Sequence, residues 1–371
     1  MKVAFFSPLP PARTGVADYS AALLRALQPL GQVAVNQRDA DIALYHLGNN
    51  QLHREIYQRA LEAPGVVVLH DAVLQHFFLG SLSEPDYVAE FVYNYGGWSA
   101  DLARGLWLHR ARSAADPQYF RYPMLRRIAE RSLAVIVHNP RAAELVHEHA
   151  PAAVIHEIPH LWEPPPLPAD SDVIRLRAEL GLPPHIFLFG VFGHLRESKR
   201  LPAVLRAFES TRGAADVALL IAGDFVSQDL ARSLEPLLGS ARILRIGYTK
   251  ECDFWRYAAA VDACINLRYP AAGETSGIAI RLIGIGKPVI VTAASETSRF
   301  PESACLRVDP GVAEEEMLAE YMVWLARFPE DARAIGQRAA EHTREFHAVE
   351  RVARLYWQAL QDCYHKSNEN Q

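Results

Sequence analysis

The chain has 371 residues, 50% hydrophobic and 22% charged, a composition that argues against disorder. At about 150 residues per domain, that length makes two domains or three. The 38 basic residues stand against 43 acidic ones, a net charge of −5, which excludes a whole-chain electrostatic grip on nucleic acid.

Residues 2–7 read as a first strand, 8–15 as a loop, and 16–27 as a helix with Val16, Tyr19, Leu23, Leu24 and Leu27 at helical spacing. The opening apolar stretch is too short for a signal peptide, and Pro8, Pro10 and Pro11 interrupt it. Strands recur at 41–46, 65–69 and 133–138, each with the continuous apolar character of a strand buried on both faces. Strands separated by helices imply βαβ units and a parallel sheet. Residues 163–170 read EPPPLPAD, and four prolines in eight residues mark an inter-domain linker. The alternation then restarts. Strands are expected at 186–192, 217–222, 242–246, 263–267 and 288–292, and helices at 201–209, 253–260 and 276–284. Residues 350–364 have the pattern of an amphipathic helix. No apolar run approaches the ~18 residues of a membrane span, so the expected location is cytoplasmic, at most peripheral at the inner face of a membrane.

Ligands of open α/β sheets bind beyond the carboxyl ends of the strands, so the residues just after each strand are the candidates for chemistry. After the first strand, Gly15 precedes a helix. There it either admits a ligand to the backbone N–H groups or simply makes a loop-to-helix turn. No GxGxxG fingerprint occurs, which argues against a dinucleotide oxidoreductase. His46 and Asn49 end one strand, and His70 and Asp71 end another. His70 either holds a sugar hydroxyl or moves a proton, or it is structural; Asp71 suits a helix cap.

The segment GHLRESK, residues 193–199, follows the first strand of the second array. Lysine is scarce here, with Arg supplying 33 of the 38 basic residues, so Lys199 beside Arg196 is informative. An Arg and a Lys at a strand end make a clamp for an anion. The segment 268–291 ends a strand, carries Glu274 in a Gly-bearing loop and starts a helix. The amides of Thr275, Ser276 and Gly277 are placed to hold a phosphate at its N-terminus. Lys287 reads as turn chemistry. Cys252, Cys264, Cys305 and Cys363 form no CxxC pair and read as reduced, buried thiols. The Asp39-Ala40-Asp41 triplet lies at the wrong end of a strand for a metal, and no metal is expected.

In order and spacing, the loop after strand one, GHLRESK, AGD (222–224), GETSG (273–277), GKPVIVT (286–292) and VDP (308–310) resemble the retaining GT-B glycosyltransferases of family 4, the glycosyl transferases group 1 type. The resemblance covers nearly the whole chain. It implies two Rossmann-like α/β domains with parallel sheets facing a central cleft. Residues 1–162 are then the acceptor-binding domain, 163–170 the linker and 171–348 the donor-binding domain, with 349–371 a helix and tail packing back on the first. The implied donor is a UDP- or GDP-linked sugar, without metal or other cofactor, and the acceptor is a glycan, a lipid-linked group or a small molecule. By position Lys199 matches the family lysine. The family Arg aligns with His194, leaving Arg196 as its substitute. Glu274 matches the first Glu of an E-x7-E motif that contacts the donor sugar, and Arg281 stands where the second, ribose-contacting Glu would be. His70 matches a histidine that contacts the sugar near the reacting carbon.

Residues 98–131 carry Arg104, Arg110, Arg112, Arg121, Arg126, Arg127 and Arg131 with aromatics interleaved. They form either a peripheral membrane contact near the acceptor or solvated helices over buried aromatics. Two other activities share this architecture: a sugar-nucleotide epimerase that does not use NAD, and a donor-binding homologue without turnover.

Overall fold

The computed structural model describes residues 1–37 and 39–369. The chain forms two compact units. Unit 1 comprises Met1–Leu161, Pro270–Thr275 and Phe346–Gln371; unit 2 comprises Trp162–Tyr269 and Ser276–Glu345.

In unit 1 the strands are β1 (Lys2–Phe6), β2 (Gln32–Val35), β3 (Ile42–Leu47), β4 (Val66–Leu69), β5 (Ala134–Val137) and β6 (Ile155–Glu157), ordered β2-β1-β3-β4-β5-β6. Every pairing is parallel. Side chains alternate between two cores, as the two-residue period of a strand requires. Val67, Leu69, Val135 and Val137 enter one core, and Val66, Val68, Ala134 and Ile136 the other. The second core is closed by the helix Gly15–Leu27 and the C-terminal helix Val349–Glu369. Leu23 and Leu27 meet Val352, Tyr356 and Leu360 there, and the Tyr19 and Tyr356 hydroxyls share a hydrogen bond of 2.8 Å. Truncating Leu27, which is fully buried, to Ala would cost about 2–5 kcal/mol.

Unit 2 repeats the plan with β7 (Phe187–Phe192), β8 (Val217–Ala222), β9 (Ile243–Ile246), β10 (Ala263–Asn266), β11 (Val289–Thr292) and β12 (Cys305–Val308). Their order is β12-β11-β10-β7-β8-β9, again parallel. Phe187, Phe189 and Val191 face one core while Leu188 and Phe192 face the other. Residues 163–169 run without regular structure into the helix Asp170–Glu179. Trp162, just before them, is buried against Gly284, where a Cβ would lie 2.0 Å from the indole nitrogen. Three of the four cysteines are buried, as anticipated, but Cys252 is exposed. Among the described residues no helix is long and apolar enough to cross a membrane.

Two placements differ from the sequence reading. The loop Pro270–Thr275, read as part of the second array, folds within unit 1, so Glu274 and Thr275 belong to unit 1 while Ser276 and Gly277 belong to unit 2. The strands β2, β6 and β12 were not anticipated.

Candidate functional site

At the carboxyl edge of unit 2, β7 ends in Gly193, whose φ of +85° suits a residue without a Cβ. The Ala222 carbonyl accepts the Gly193 N–H at 2.9 Å, and Gly223 packs so closely that a Cβ there would come within 2.2 Å of the Gly193 oxygen. These two glycines clear the backbone around Lys199. The lysine is only 7% exposed and donates from Nζ to the Phe192 carbonyl. A Cβ on Gly193 would meet both Lys199 Nζ at 3.3 Å and Ile278 Cγ1 at 3.5 Å. The buried ammonium and the first turn of the helix Gly277–Gly284 therefore both border Gly193. Ser276 caps that helix, its hydroxyl accepting the Ala279 N–H at 3.3 Å, and Arg268 reaches the same hydroxyl at 3.4 Å. A buried cation beside a helix N-terminus is a site for an anion. Arg196 is exposed on the turn between Gly193 and Lys199. His194, on the same turn, has its pKa lowered by partial burial and by the Arg196 and Lys199 charges, so near neutral pH it is uncharged. Arg200 is committed elsewhere, pairing with the buried Glu314 at 3.0 Å from Nε.

Arg281, one turn into the same helix, lies 4.0 Å above the Phe254 ring and 4.4 Å above Trp255 and pairs with Glu251. Glu251 also accepts the Trp255 indole N–H at 2.8 Å. Its guanidinium is thus engaged by an acid and two rings. Lys287 is likewise committed, donating to the Ala259 carbonyl at 2.8 Å.

Unit 1 contributes a separate set. His46 is the penultimate residue of β3, and His70 and His138 directly follow β4 and β5. Their rings pack around Tyr19, whose centroid lies 4.8 Å from His70 and 5.3 Å from His138. His46 Nδ1 and His70 Nε2 share a hydrogen bond of 2.9 Å. Burial holds His46 and His70 far below the usual imidazole range, and His53 and His138 at about 4, so all four are neutral at pH 7. Asp71 does not cap a helix; it accepts the Asn49 N–H at 2.8 Å, and Asn49 Oδ1 accepts the Phe77 N–H at 2.8 Å near the start of the helix Gln75–Ser81.

The loop Pro270–Thr275 is fastened beside His70. The Ala272 carbonyl accepts the Ala72 N–H at 2.8 Å. Asn139 donates from Nδ2 to the Gly273 carbonyl at 2.9 Å and to Thr275 Oγ1 at 3.0 Å, while its Oδ1 caps the helix Pro140–His149. The Thr275 hydroxyl reaches the His138 carbonyl at 3.3 Å, so its contacts serve the loop. Glu274 is half-buried and accepts the Ala272 N–H at 2.7 Å. Gly15 opens the helix Gly15–Leu27, with no atom within 4 Å of the Cβ it lacks. In the stretch 98–131 the aromatics divide, with Tyr119 buried and Trp98 75% exposed; the apolar Leu108 is 74% exposed. Among the described residues no group of three or more His, Cys, Asp or Glu is arranged to hold a metal ion. A cavity of about 550 Å³ lined by Arg212, Asp216 and Arg242 lies at the amino ends of β8 and β9, away from the carboxyl edge.

Asn139, His138 and the Tyr19–Tyr356 pair escaped the sequence reading. The histidines had a visible signal, since LYH, VLH and IVH each set a histidine at or next to the end of an apolar run. Asn139 had none, because its partners lie 134 and 136 residues away.

No protein-family model and no curated protein sequence matches the chain. Solved structures do. HepE of Anabaena, solved with UDP and glucose, is 17% identical over 97% of this chain and 99% of its own, with a TM-score of 0.65. WaaG, a glycosyltransferase involved in lipopolysaccharide biosynthesis, is 15% identical over 95% of this chain and 98% of its own, with a TM-score of 0.64. A putative UDP-N-acetylglucosamine 2-epimerase from Listeria monocytogenes is 14% identical over 98% and 97%, with a TM-score of 0.56. The fold is GT-B. A GT-B fold fixes where ligands meet the sheets but not the reaction, so the activity rests on the side chains.

Proposed function

We propose that the chain is a retaining glycosyltransferase of the family 4 type, moving a sugar from a UDP- or GDP-linked donor to a glycan, lipid-linked or small-molecule acceptor. The observation that carries this reading is the buried Lys199 ammonium, which borders Gly193 together with the first turn of the helix Gly277–Gly284. The bond from the anomeric carbon to the β-phosphate oxygen breaks through an oxocarbenium-like transition state. Negative charge grows on the departing diphosphate, where Lys199, the exposed Arg196 and the Ser276 and Gly277 amides stabilise it. These groups supply the positive charge, so the reaction as proposed needs no divalent metal. Glu274 and His70 hold the donor sugar, and the leaving phosphate takes the acceptor proton. Since Arg281 is occupied by Glu251, Phe254 and Trp255, ribose recognition differs from the Glu-based pattern of the family it resembles.

Lys199→Ala is expected to lower kcat for transfer about 10²–10³-fold, the cost of losing one preorganised charge donor, with Lys199→Arg intermediate. Turnover unchanged in Lys199→Ala would overturn the site. Donor alone is the control: a new sugar nucleotide made without acceptor marks an epimerase, and donor binding with neither transfer nor hydrolysis marks a homologue without turnover.

We further propose that the exposed Trp98 and Leu108, in a stretch of sequence that also carries Arg104, Arg110, Arg112 and Arg121, rest on the anionic inner face of a membrane. Flotation with phosphatidylglycerol vesicles at low salt is expected, and its absence sinks the contact.

A further inference from the structure

His53 and His138 provide an internal reference for the histidine cluster of unit 1. His53 Nδ1 lies 2.9 Å from the His46 carbonyl, and His138 Nδ1 lies 2.9 Å from the Ile158 carbonyl. A carbonyl only accepts, so both rings carry their proton on Nδ1. Their Nε2 atoms are therefore bare lone pairs, and both are buried without a hydrogen-bond partner. The core of this unit accommodates an unpaired imidazole acceptor twice.

His46 faces the same choice with a different partner. Its Nδ1 meets His70 Nε2 at 2.9 Å, and its Nε2 is buried without a partner. A proton on Nε2 would seal an N–H into a dry core with no acceptor. That arrangement is rarer and costlier than a bare lone pair. The proton therefore belongs on Nδ1, as in His53 and His138. His70 must then accept at Nε2, and its single proton moves to Nδ1. His70 Nδ1 has no hydrogen-bond partner among the described residues, and its ring, 9% exposed, stands just past the carboxyl end of β4, where ligands of such sheets lie.

We propose that His46 locks His70 in the Nδ1–H tautomer and so makes it a fixed hydrogen-bond donor to an oxygen of the ligand, never a base at that nitrogen. Burial supports this by keeping both rings neutral. His46 is thus a positioning residue that acts through His70. The tautomer stands on the geometry of unit 1 alone; the choice of a sugar hydroxyl or phosphate oxygen as its acceptor rests on the transferase reading.

Long-range ¹H–¹⁵N correlation spectra of the full chain, labelled with ¹⁵N-histidine at pH 7.5, read the tautomer without any substitution. His46 and His70 are expected to show a protonated Nδ1 and a bare Nε2; a protonated Nε2 on His70 overturns the proposal. Peaks are assigned by their loss in His70→Asn and in His46→Asn. Turnover is the second readout. The His70→Asn amide N–H falls near the Nδ1 position, so this variant is expected to keep activity within about tenfold, one hydrogen bond's worth. His70→Gln places its amide near Nε2 and is expected to lose at least tenfold more in kcat, with donor KM little changed. Equal losses in the two variants overturn the donor role. His46→Asn retains a donor to His70 Nε2 and is expected to retain kcat, whereas His46→Leu is not. A normal Lys199→Ala enzyme with the expected spectrum would remove the transferase reading and leave the tautomer standing.

Discussion

A methyl group has opposite consequences at two glycines that each follow a first strand. At Gly15 the added carbon meets nothing within 4 Å, and the residue opens a helix. Gly15→Ala is expected to leave Tm within a degree or two of the parent, since Ala is the better helix former. If a ligand approaches that backbone, turnover falls all the same; unchanged turnover would make Gly15 a simple turn residue. At Gly193 the backbone is left-handed and the new carbon would sit 3.3 Å from Lys199 Nζ. Gly193→Ala is expected to cost about 1–2 kcal/mol, the penalty of the left-handed region for an L residue, and to lower donor affinity by displacing the lysine. Calorimetric unfolding together with donor titration separates the two effects. The rarity of lysine singled out Lys199 in the sequence, but not its burial or its bond to the Phe192 carbonyl. The engagement of Arg281 was not, because Glu251, Phe254 and Trp255 come from another helix.

Among the elements, Asn139 joins two jobs that substitution can separate. Asn139→Ala loses the cap of the helix Pro140–His149 and is expected to destabilise by about 0.5–2 kcal/mol. Asn139→Asp keeps the cap but removes the donor to Gly273 and Thr275. With Asn139 buried, the new carboxylate oxygen faces the Gly273 carbonyl, so this variant is expected to be destabilised through the loop and not the cap, and to turn over more slowly because Glu274 loses its anchored loop. Equal turnover in Asn139→Asp and the parent would show that the anchor is dispensable. The interior strands were readable because burial on both faces makes them continuous apolar runs, as in VVVL and AVIV. β2, β6 and β12 are all edge strands. With one side unpaired they admit polar residues, as in QVAV, IHE and CLRV, and their pattern fades into loop.

For the whole molecule, the buried histidines set an acid limit. His53 and His138 have folded pKa values of about 4 against 6.5 for an ordinary imidazole. Between those values the unfolded chain binds more protons than the folded one, so stability falls as pH falls. It is fully present above about pH 7, and each ring removes about 1.4 kcal/mol per pH unit across the window. Tm is expected to drop steeply between pH 6.5 and 4, and a flat profile would contradict the neutral cluster. Composition alone anticipated two globular domains or three. It could not reveal this liability, which arises from the burial of His53 and His138 in the fold.

The path of the chain through 270–275 has a consequence for anyone recombining this molecule. Unit 2 is interrupted by six residues that fold with unit 1, and unit 1 reclaims the chain again at Phe346. A chimera cut only at the proline-rich segment would therefore import a foreign loop against Ala72 and Asn139. Exchanging unit 2 between relatives takes breakpoints near 161, 269, 275 and 345, with the short insert inherited from unit 1. The two halves are separable as folds but interleaved as genetic text.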